Sequence, residues 1–287
     1  DNHIIGGKPL RSRWEQAEYF ARTRFRKYFP RKPFISDNTL LHSQALYDTG
    51  LGREVEWIKP DVIMLGWLGN STLSIREIGR LKSPVVWRLS DMWMFSGAEH
   101  YTRHNRFSHG YSRKSRPHDE EGPDINRETF RRKTRHWRSL RHVISPSTWM
   151  GDLVRASTLT RNWPVHIVPN VIDADEWQPS DGMVARQELS LPLGAKVLLF
   201  GAGSGLKNHH KGGDLFLETV NAIASLKETE GEANNPEIIA AIFGEERKDF
   251  SVGGVRVVSL GRLNDRNLRN AYSAANVMVV PSRMDNF

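Results

Sequence analysis

The densest chemical signal in the chain is a glycine-rich stretch, Gly201-Ala202-Gly203-Ser204-Gly205-Leu206-Lys207-Asn208-His209-His210-Lys211-Gly212-Gly213, which follows an apolar run and precedes a helical pattern. Glycines let backbone approach a ligand closely, and the start of a helix offers unpaired N–H groups to an anion. Lys207 and Lys211 add positive charge. These are the components of a phosphate site. Spacing alone leaves a second reading open, that of a flexible glycine-rich turn between a strand and a helix. The stretch is not a P-loop, because Gly212 and not Ser or Thr follows Lys211. Gly201-Ala202-Gly203 is also a poor start for a dinucleotide fingerprint. Neighbouring His209 and His210 point in different directions and have no carboxylate cluster beside them, so no metal site is expected.

The elements that must position this loop come from short apolar runs separated by helical segments. Residues 61–65, 84–89, 142–145 and 165–168 read as strands, with a helix near 74–81 and another over 149–155 that starts after Pro146-Ser147. A second series begins after residue 180, with strands at 197–200, 238–243, 255–258 and 277–280 and helices at 213–226 and 268–275. Asp265 is expected to cap the last of these. Parallel strands need helix-sized crossovers, so the alternation predicts two Rossmann-like α/β domains, each a parallel sheet with helices on both faces. Their boundaries are read as 1–178 and 179–287. Nearer the start, residues 14–29 predict a basic helix with an aromatic side. Ser36-Asp37 is expected to cap a further helix carrying Leu40, Leu41 and Leu46, with Gly50 as its stop.

At 287 residues with 38% hydrophobic content, the chain can bury two cores. The absence of cysteine excludes a disulfide scaffold, a thiolate metal site and a cysteine nucleophile, and fits a reducing compartment. No signal-peptide pattern and no transmembrane-length apolar run are present. The sequence starts at Asp1 without a Met, and it is expected to be incomplete at both ends. Net charge is +8, and it is uneven: residues 1–180 carry 29 Lys/Arg against 20 Asp/Glu, and residues 181–287 carry 12 against 13. Residues 8–32 and 100–141 each sum to +7. They are either solvated faces or surfaces for an anionic membrane, a phosphate-bearing acceptor or nucleic acid. Most of the nine tryptophans, Trp57, Trp67, Trp87, Trp93 and Trp137 among them, are expected in the core, and Trp93 could line an acceptor site. Asn70-Ser71-Thr72 matches a glycosylation sequon.

A collinear set of blocks resembles family 4 glycosyltransferases. It runs through Val85-Val86-Trp87-Arg88-Leu89-Ser90-Asp91-Met92-Trp93, Pro146-Ser147, Val168-Pro169-Asn170-Val171-Ile172-Asp173, His210-Lys211-Gly212, Leu260-Gly261-Arg262-Leu263 and Pro281-Ser282-Arg283 with Asp285-Asn286. The resemblance spans roughly residues 60–287. It implies a GT-B fold, with an acceptor domain and a donor domain facing a cleft, and a metal-independent, retaining transfer of a hexose from a nucleotide-diphosphate sugar. Lys211 matches the lysine that neutralises the donor diphosphate, and a fixed cation there stabilises the anionic leaving group. Lys207, Gly203, Gly205, Gly212 and Arg262 are expected to complete the donor site. Asp285 stands at the first carboxylate of the family's Glu-x7-Glu pair, one methylene shorter; the second position would fall after Phe287.

The chain departs from the pattern at three places. Gly205 stands where relatives often carry an arginine, so Lys207 or the loop backbone would supply the second charge. Ser90 replaces a histidine common before Asp91, and the role could pass to His100, Glu99 or backbone groups. The catalytic candidates are accordingly Asp91, Ser90 and His100. The glycine-rich loop after the family's first strand is missing as well.

The resemblance implies an enzyme of cell-envelope polysaccharide or lipid-linked oligosaccharide synthesis. It would be cytoplasmic, with peripheral contact to the anionic inner face of the membrane. No cofactor, no metal and no nucleic acid partner is expected. The alternatives are a catalytically silent GT-B protein that binds sugar nucleotide, a GT-B sugar-nucleotide epimerase, or a basic nucleic-acid-binding protein.

Overall fold

The computed structural model describes residues 33–69, 72–230 and 236–286. The expected basic helix over 14–29, the basic segment 8–32 and the Asn70-Ser71 part of the sequon lie outside these residues. The chain divides into two compact units. Among the described residues, one takes in those up to Asn170 together with Asn286, the other those from Val171 to Asp285. The division thus falls between Asn170 and Val171, where the sequence reading placed it between Gln178 and Pro179.

In the first unit, apolar runs too short for helices form strands β1 (Ile63–Leu65), β2 (Val85–Arg88), β3 (His142–Ser145) and β4 (Val165–Ile167). They pair in parallel in the order β1-β2-β3-β4. Side chains alternate across the pleat, so Ile63, Leu65, Val85, Trp87 and Val143 point to one face and are buried. That face packs on helices α2 (Ile75–Arg80), α3 (Ile125–His136) and α4 (Thr148–Ala156) through Ile75, Ile78, Phe130, Met150 and Val154. Met64, Arg88, His142 and His166 on the other face are exposed among the described residues. Ser74 and Ser147 cap α2 and α4, and Ser74 forms a capping box with Glu77.

The helix expected after Ser36-Asp37 does not form. Long-range pairing takes the backbone instead: Ser43 N–H donates to Ala98 O at 2.7 Å, His100 N–H donates to Leu41 O at 3.0 Å, and His42 bridges to Glu99. Gly50, expected to stop a helix, starts one. It takes a left-handed conformation immediately before α1 (Leu51–Ile58).

The second unit has five strands in the order β7-β8-β6-β5-β9. They are β5 (Lys196–Gly201), β6 (Ile238–Phe243), β7 (Phe250–Val252), β8 (Val255–Ser259) and β9 (Val277–Met278). All pair in parallel except β7, which pairs antiparallel with β8. A two-glycine turn, Gly253 and Gly254, both with positive φ, makes this hairpin. Helix α6 (Gly213–Glu230) packs Phe216 and Val220 against Phe200, Ala240 and Val257 on one face. On the other face, α5 (Gly182–Glu188) and α7 (Asp265–Ala274) pack Ala185, Ala271 and Ala274 against Val197, Leu199 and Ile239. Asn264, not Asp265, caps α7: its side chain accepts from Asn267 N–H, and Asp265 is the first helical residue. The expected strand 277–280 is two residues long.

The tryptophan expectation holds for Trp87, Trp93 and Trp137, which are buried, and fails for Trp57 and Trp67, which are 84% and 52% exposed. Part of the basic segment 100–141 is also not a solvated face. Arg106, Lys133 and Arg141 are buried, and Arg106 is paired with Glu120 and Asp124. Among the described residues, no helix is long and apolar enough to cross a membrane.

Candidate functional site

The second sheet changes direction of construction at β5. From there the chain proceeds to β6 and β8 on one side, while β9 lies on the other. In an open α/β sheet, ligands bind outside the carboxyl ends of strands at such a reversal. The two segments leaving those ends are the glycine-rich loop after β5 and residues 279–286 after β9. Topology therefore brings Lys211 and Asp285 together although 74 residues separate them.

The loop is built as two consecutive 3-10 turns, Gly205–Lys207 and His209–Lys211. Asn208 links them: its side chain accepts from Lys211 N–H at 3.2 Å and donates to Gly203 O at 3.0 Å. Two glycines are required by space as well as by conformation. Gly205 has φ +56, and a Cβ there would fall 2.3 Å from Glu245 Cγ. Gly212 has φ +77, and its Cβ would fall 2.2 Å from Pro281 O. Gly203, by contrast, has open space around it. The loop is thus held against the segment after β9 by an approach that only glycine permits.

Lys211 Nζ lies 2.5 Å from Asp285 Oδ2, with about a third of each side chain exposed. Beside them Arg283 forms a bidentate pair with Asp214 in the first turn of α6, at 2.7 Å for both contacts, and also donates to His209 O at 2.8 Å. The Arg283 guanidinium holds the Asp214 carboxyl well below the usual carboxylate range. Burial, with Lys211 adding to it, pushes the His210 imidazole down. Lys207 is exposed and forms no ion pair among the described residues. Arg262 follows β8 on a neighbouring loop; its N–H donates to Glu246 Oε1 at 3.0 Å, and its side chain is exposed. Sequence reasoning missed Asn208, Asp214, Arg283 and Glu245. A cap signal was present at Asn208, three residues before Lys211, whereas a guanidinium–carboxylate pair across 69 residues leaves no local signal.

In the first unit, Asp91 and His100 meet. His100 Nδ1 is 2.5 Å from Asp91 Oδ2, and Nε2 is 2.8 Å from Ser43 Oγ. With the Nδ1 proton donated to Asp91, Nε2 accepts from the Ser43 hydroxyl; this tautomer is assigned from the network. The order Ser–His–Asp is that of a nucleophilic triad, but Ser43 and His100 are 3% exposed and Asp91 is 8% exposed. Trp93 stacks on His100, with ring centroids 6.1 Å apart, and is itself buried in the core rather than lining a surface. Ser90 does not join the cluster. Its carbonyl oxygen accepts from Tyr101 O–H at 3.1 Å, and its hydroxyl makes no hydrogen bond among the described residues.

Residues 91–100 form one buried turn, fastened from several sides. Lys133 Nζ donates to the carbonyls of Trp93, Ser96 and Gly97. Tyr111 O–H donates to Glu99 Oε1 at 2.5 Å, and Ser157 Oγ donates to Phe95 O at 2.8 Å. Burial pushes the Lys133 ammonium well down and the Glu99 carboxyl up to about 7.

No protein-family model matches the chain, and no curated protein does. Solved structures do. The chain is similar to sucrose-phosphate synthase from Thermosynechococcus elongatus at 14% identity and a TM-score of 0.52, covering 83% of this chain and 55% of that one. It is also similar to Anabaena Alr3699/HepE in complex with UDP at 15% identity and a TM-score of 0.50, covering 82% and 57%. The likeness is one of fold, the two-unit α/β architecture of GT-B glycosyltransferases. The chain spans 55% and 57% of the lengths of these two structures.

Proposed function

We propose that the chain belongs to a retaining, metal-independent glycosyltransferase of family 4 type that moves a hexose from a nucleotide-diphosphate sugar to a polysaccharide or lipid-linked oligosaccharide acceptor. The observation that carries this reading is the Lys211–Asp285 pair at the sheet reversal, set between two spatially required glycines. In this role Lys211 Nζ faces the diphosphate. As the bond from the sugar anomeric carbon to the leaving phosphate oxygen breaks, negative charge grows on the diphosphate, and a fixed ammonium stabilises it. Asp285, already beside that ammonium, is placed to accept from a sugar hydroxyl. Lys207, Arg262 and the backbone N–H groups around Gly203, Gly205 and Gly212 are the remaining donors to the nucleotide sugar.

The burial of Asp91 and His100 favours a transfer in which no side chain takes the acceptor proton. The acceptor hydroxyl oxygen bonds to the anomeric carbon from the face the diphosphate leaves, and its proton passes to the departing phosphate oxygen. Asp91 and His100 then serve by holding the turn after β2 in place. The same burial keeps a second reading in play, a silent protein that binds sugar nucleotide without transferring it. Work in the cytoplasm at the anionic inner membrane face fits the +9 balance of residues 1–180.

Calorimetric titration with UDP-, GDP- and ADP-glucose tests the donor site, with uridine first because the Anabaena structure is in complex with UDP. One of the three is expected to bind, and Lys211→Ala is expected to weaken it at least about tenfold, the scale of a lost charge-assisted contact. Equal affinity in parent and variant would remove Lys211 as the diphosphate anchor. Binding without sugar transfer to any glycan or lipid acceptor would select the silent reading.

A further inference from the structure

A groove of about 710 Å³ opens in the first unit between α1, α2 and the C-terminal end of α3, and no residue of the Asp91–His100 turn lines it. Its charges are unequally matched. The three carboxylates on its wall are all engaged. Asp48 accepts from Arg76 and Ser74, Glu77 accepts from the N–H groups of Thr49, Gly50 and Ser74, and Glu56 accepts from Lys82 N–H. The cations Arg80, Lys82 and Arg132, also on the wall, form no ion pair with a carboxylate among the described residues.

Arg132 is the telling one. It is half-buried, and among the described residues its guanidinium donates to Glu128 O and Thr129 Oγ1. Burial pushes it below its ordinary value, with only Glu128 opposing. His136, one turn further along α3 and also on the wall, is pushed down by burial first and then by Arg135, Arg76, Arg80 and Arg132. A partly desolvated guanidinium that Glu128 does not fully offset is costly, and a phosphate restores the balance through bidentate hydrogen bonds. The groove is also larger than an inorganic anion needs, within the range of small-molecule sites, and its rim carries Leu46 at 43% exposure.

We propose that this groove binds a phosphate or diphosphate ester, with its anion held between Arg80 and Arg132 and its organic part lying toward Leu46. The site goes beyond the donor reading, since it lies in the other unit and shares no residue with it.

The test is calorimetric titration of the full chain carrying Lys211→Ala, so that the donor loop does not contribute. The probes are inorganic diphosphate and phosphatidylcholine vesicles with and without phosphatidic acid, in about 0.1 M salt to screen diffuse attraction. Saturable binding is expected, weakened at least tenfold by Arg132→Gln and by Arg80→Gln. The latter replaces an exposed side chain. Arg131→Gln, an exposed neighbour outside the groove, is expected to leave it unchanged. Diphosphate binding without vesicle binding supports a soluble phosphorylated ligand, and vesicle binding that diphosphate displaces supports a lipid one. Binding by neither probe, or binding that all three substitutions weaken equally or not at all, would overturn the proposal.

Discussion

Glu99 shows what enclosure does to a single group. One carboxylate oxygen accepts from Tyr111 O–H, and the other is buried without a hydrogen-bond partner among the described residues, facing the position where Gly97 has no side chain. Burial raises its carboxyl from 4.5 to about 7, outweighing Tyr111 and the nearby Lys133, which both act in the opposite sense. A carboxyl with a higher affinity for protons in the folded state gives stability that is complete below about pH 4.5 and is lost as pH rises through about 7. Glutamine mimics the protonated form and can still accept from Tyr111. Urea unfolding of Glu99→Gln is therefore expected to match the parent near pH 4.5 and to exceed it at pH 8. If the two chains keep the same pH slope across that interval, Glu99 does not carry a raised affinity for protons.

At the scale of elements, the donor loop depends on its approach to the segment after β9. Gly212→Ala places a methyl group 2.2 Å from Pro281 O in a left-handed conformation, so the loop and that segment must separate. The expected result is a loss of nucleotide-sugar affinity of at least about tenfold with a stability cost of roughly 1–3 kcal/mol, read by titration and urea unfolding. Unchanged affinity would detach the loop from the site. The loop itself was legible in the sequence, because glycine, lysine and strand-to-helix position are local signals. So were the strands, whose apolar runs survive as β1 to β6, β8 and a shortened β9. Residues 36–50 were not, since their backbone pairs with Ala98, Glu99 and His100, partners that no helical period announces. Helix α3 also escaped notice. Its sequence is dominated by Arg, Lys and Thr, and its buried face includes Lys133 and Thr129, whose polar groups find partners only in the folded chain. Asp91 and His100 were legible as separate candidates; that they would meet and be enclosed was not, because burial of the 91–100 turn depends on Lys133, Tyr111 and Ser157 arriving from elsewhere.

For the whole molecule, the two units differ in how they can be observed. Each has its own core, one around Trp87, Trp93 and Trp137, the other on the two faces of the β5–β6 sheet. Of the nine tryptophans, only Trp177 falls within residues 171–285. Tryptophan fluorescence consequently follows the first unit, whereas circular dichroism and calorimetry follow both. Leu199 is fully buried in the second core, so Leu199→Ala is expected to cost about 2–5 kcal/mol there. The expected signature is a second-unit transition that falls in temperature by calorimetry while the fluorescence midpoint stays in place. A common shift in both probes would mean that the units unfold as one cooperative body. Donor binding would then have to be read as a property of the whole chain, and Lys211→Ala would be expected to alter the fluorescence transition in the presence of UDP-sugar as well.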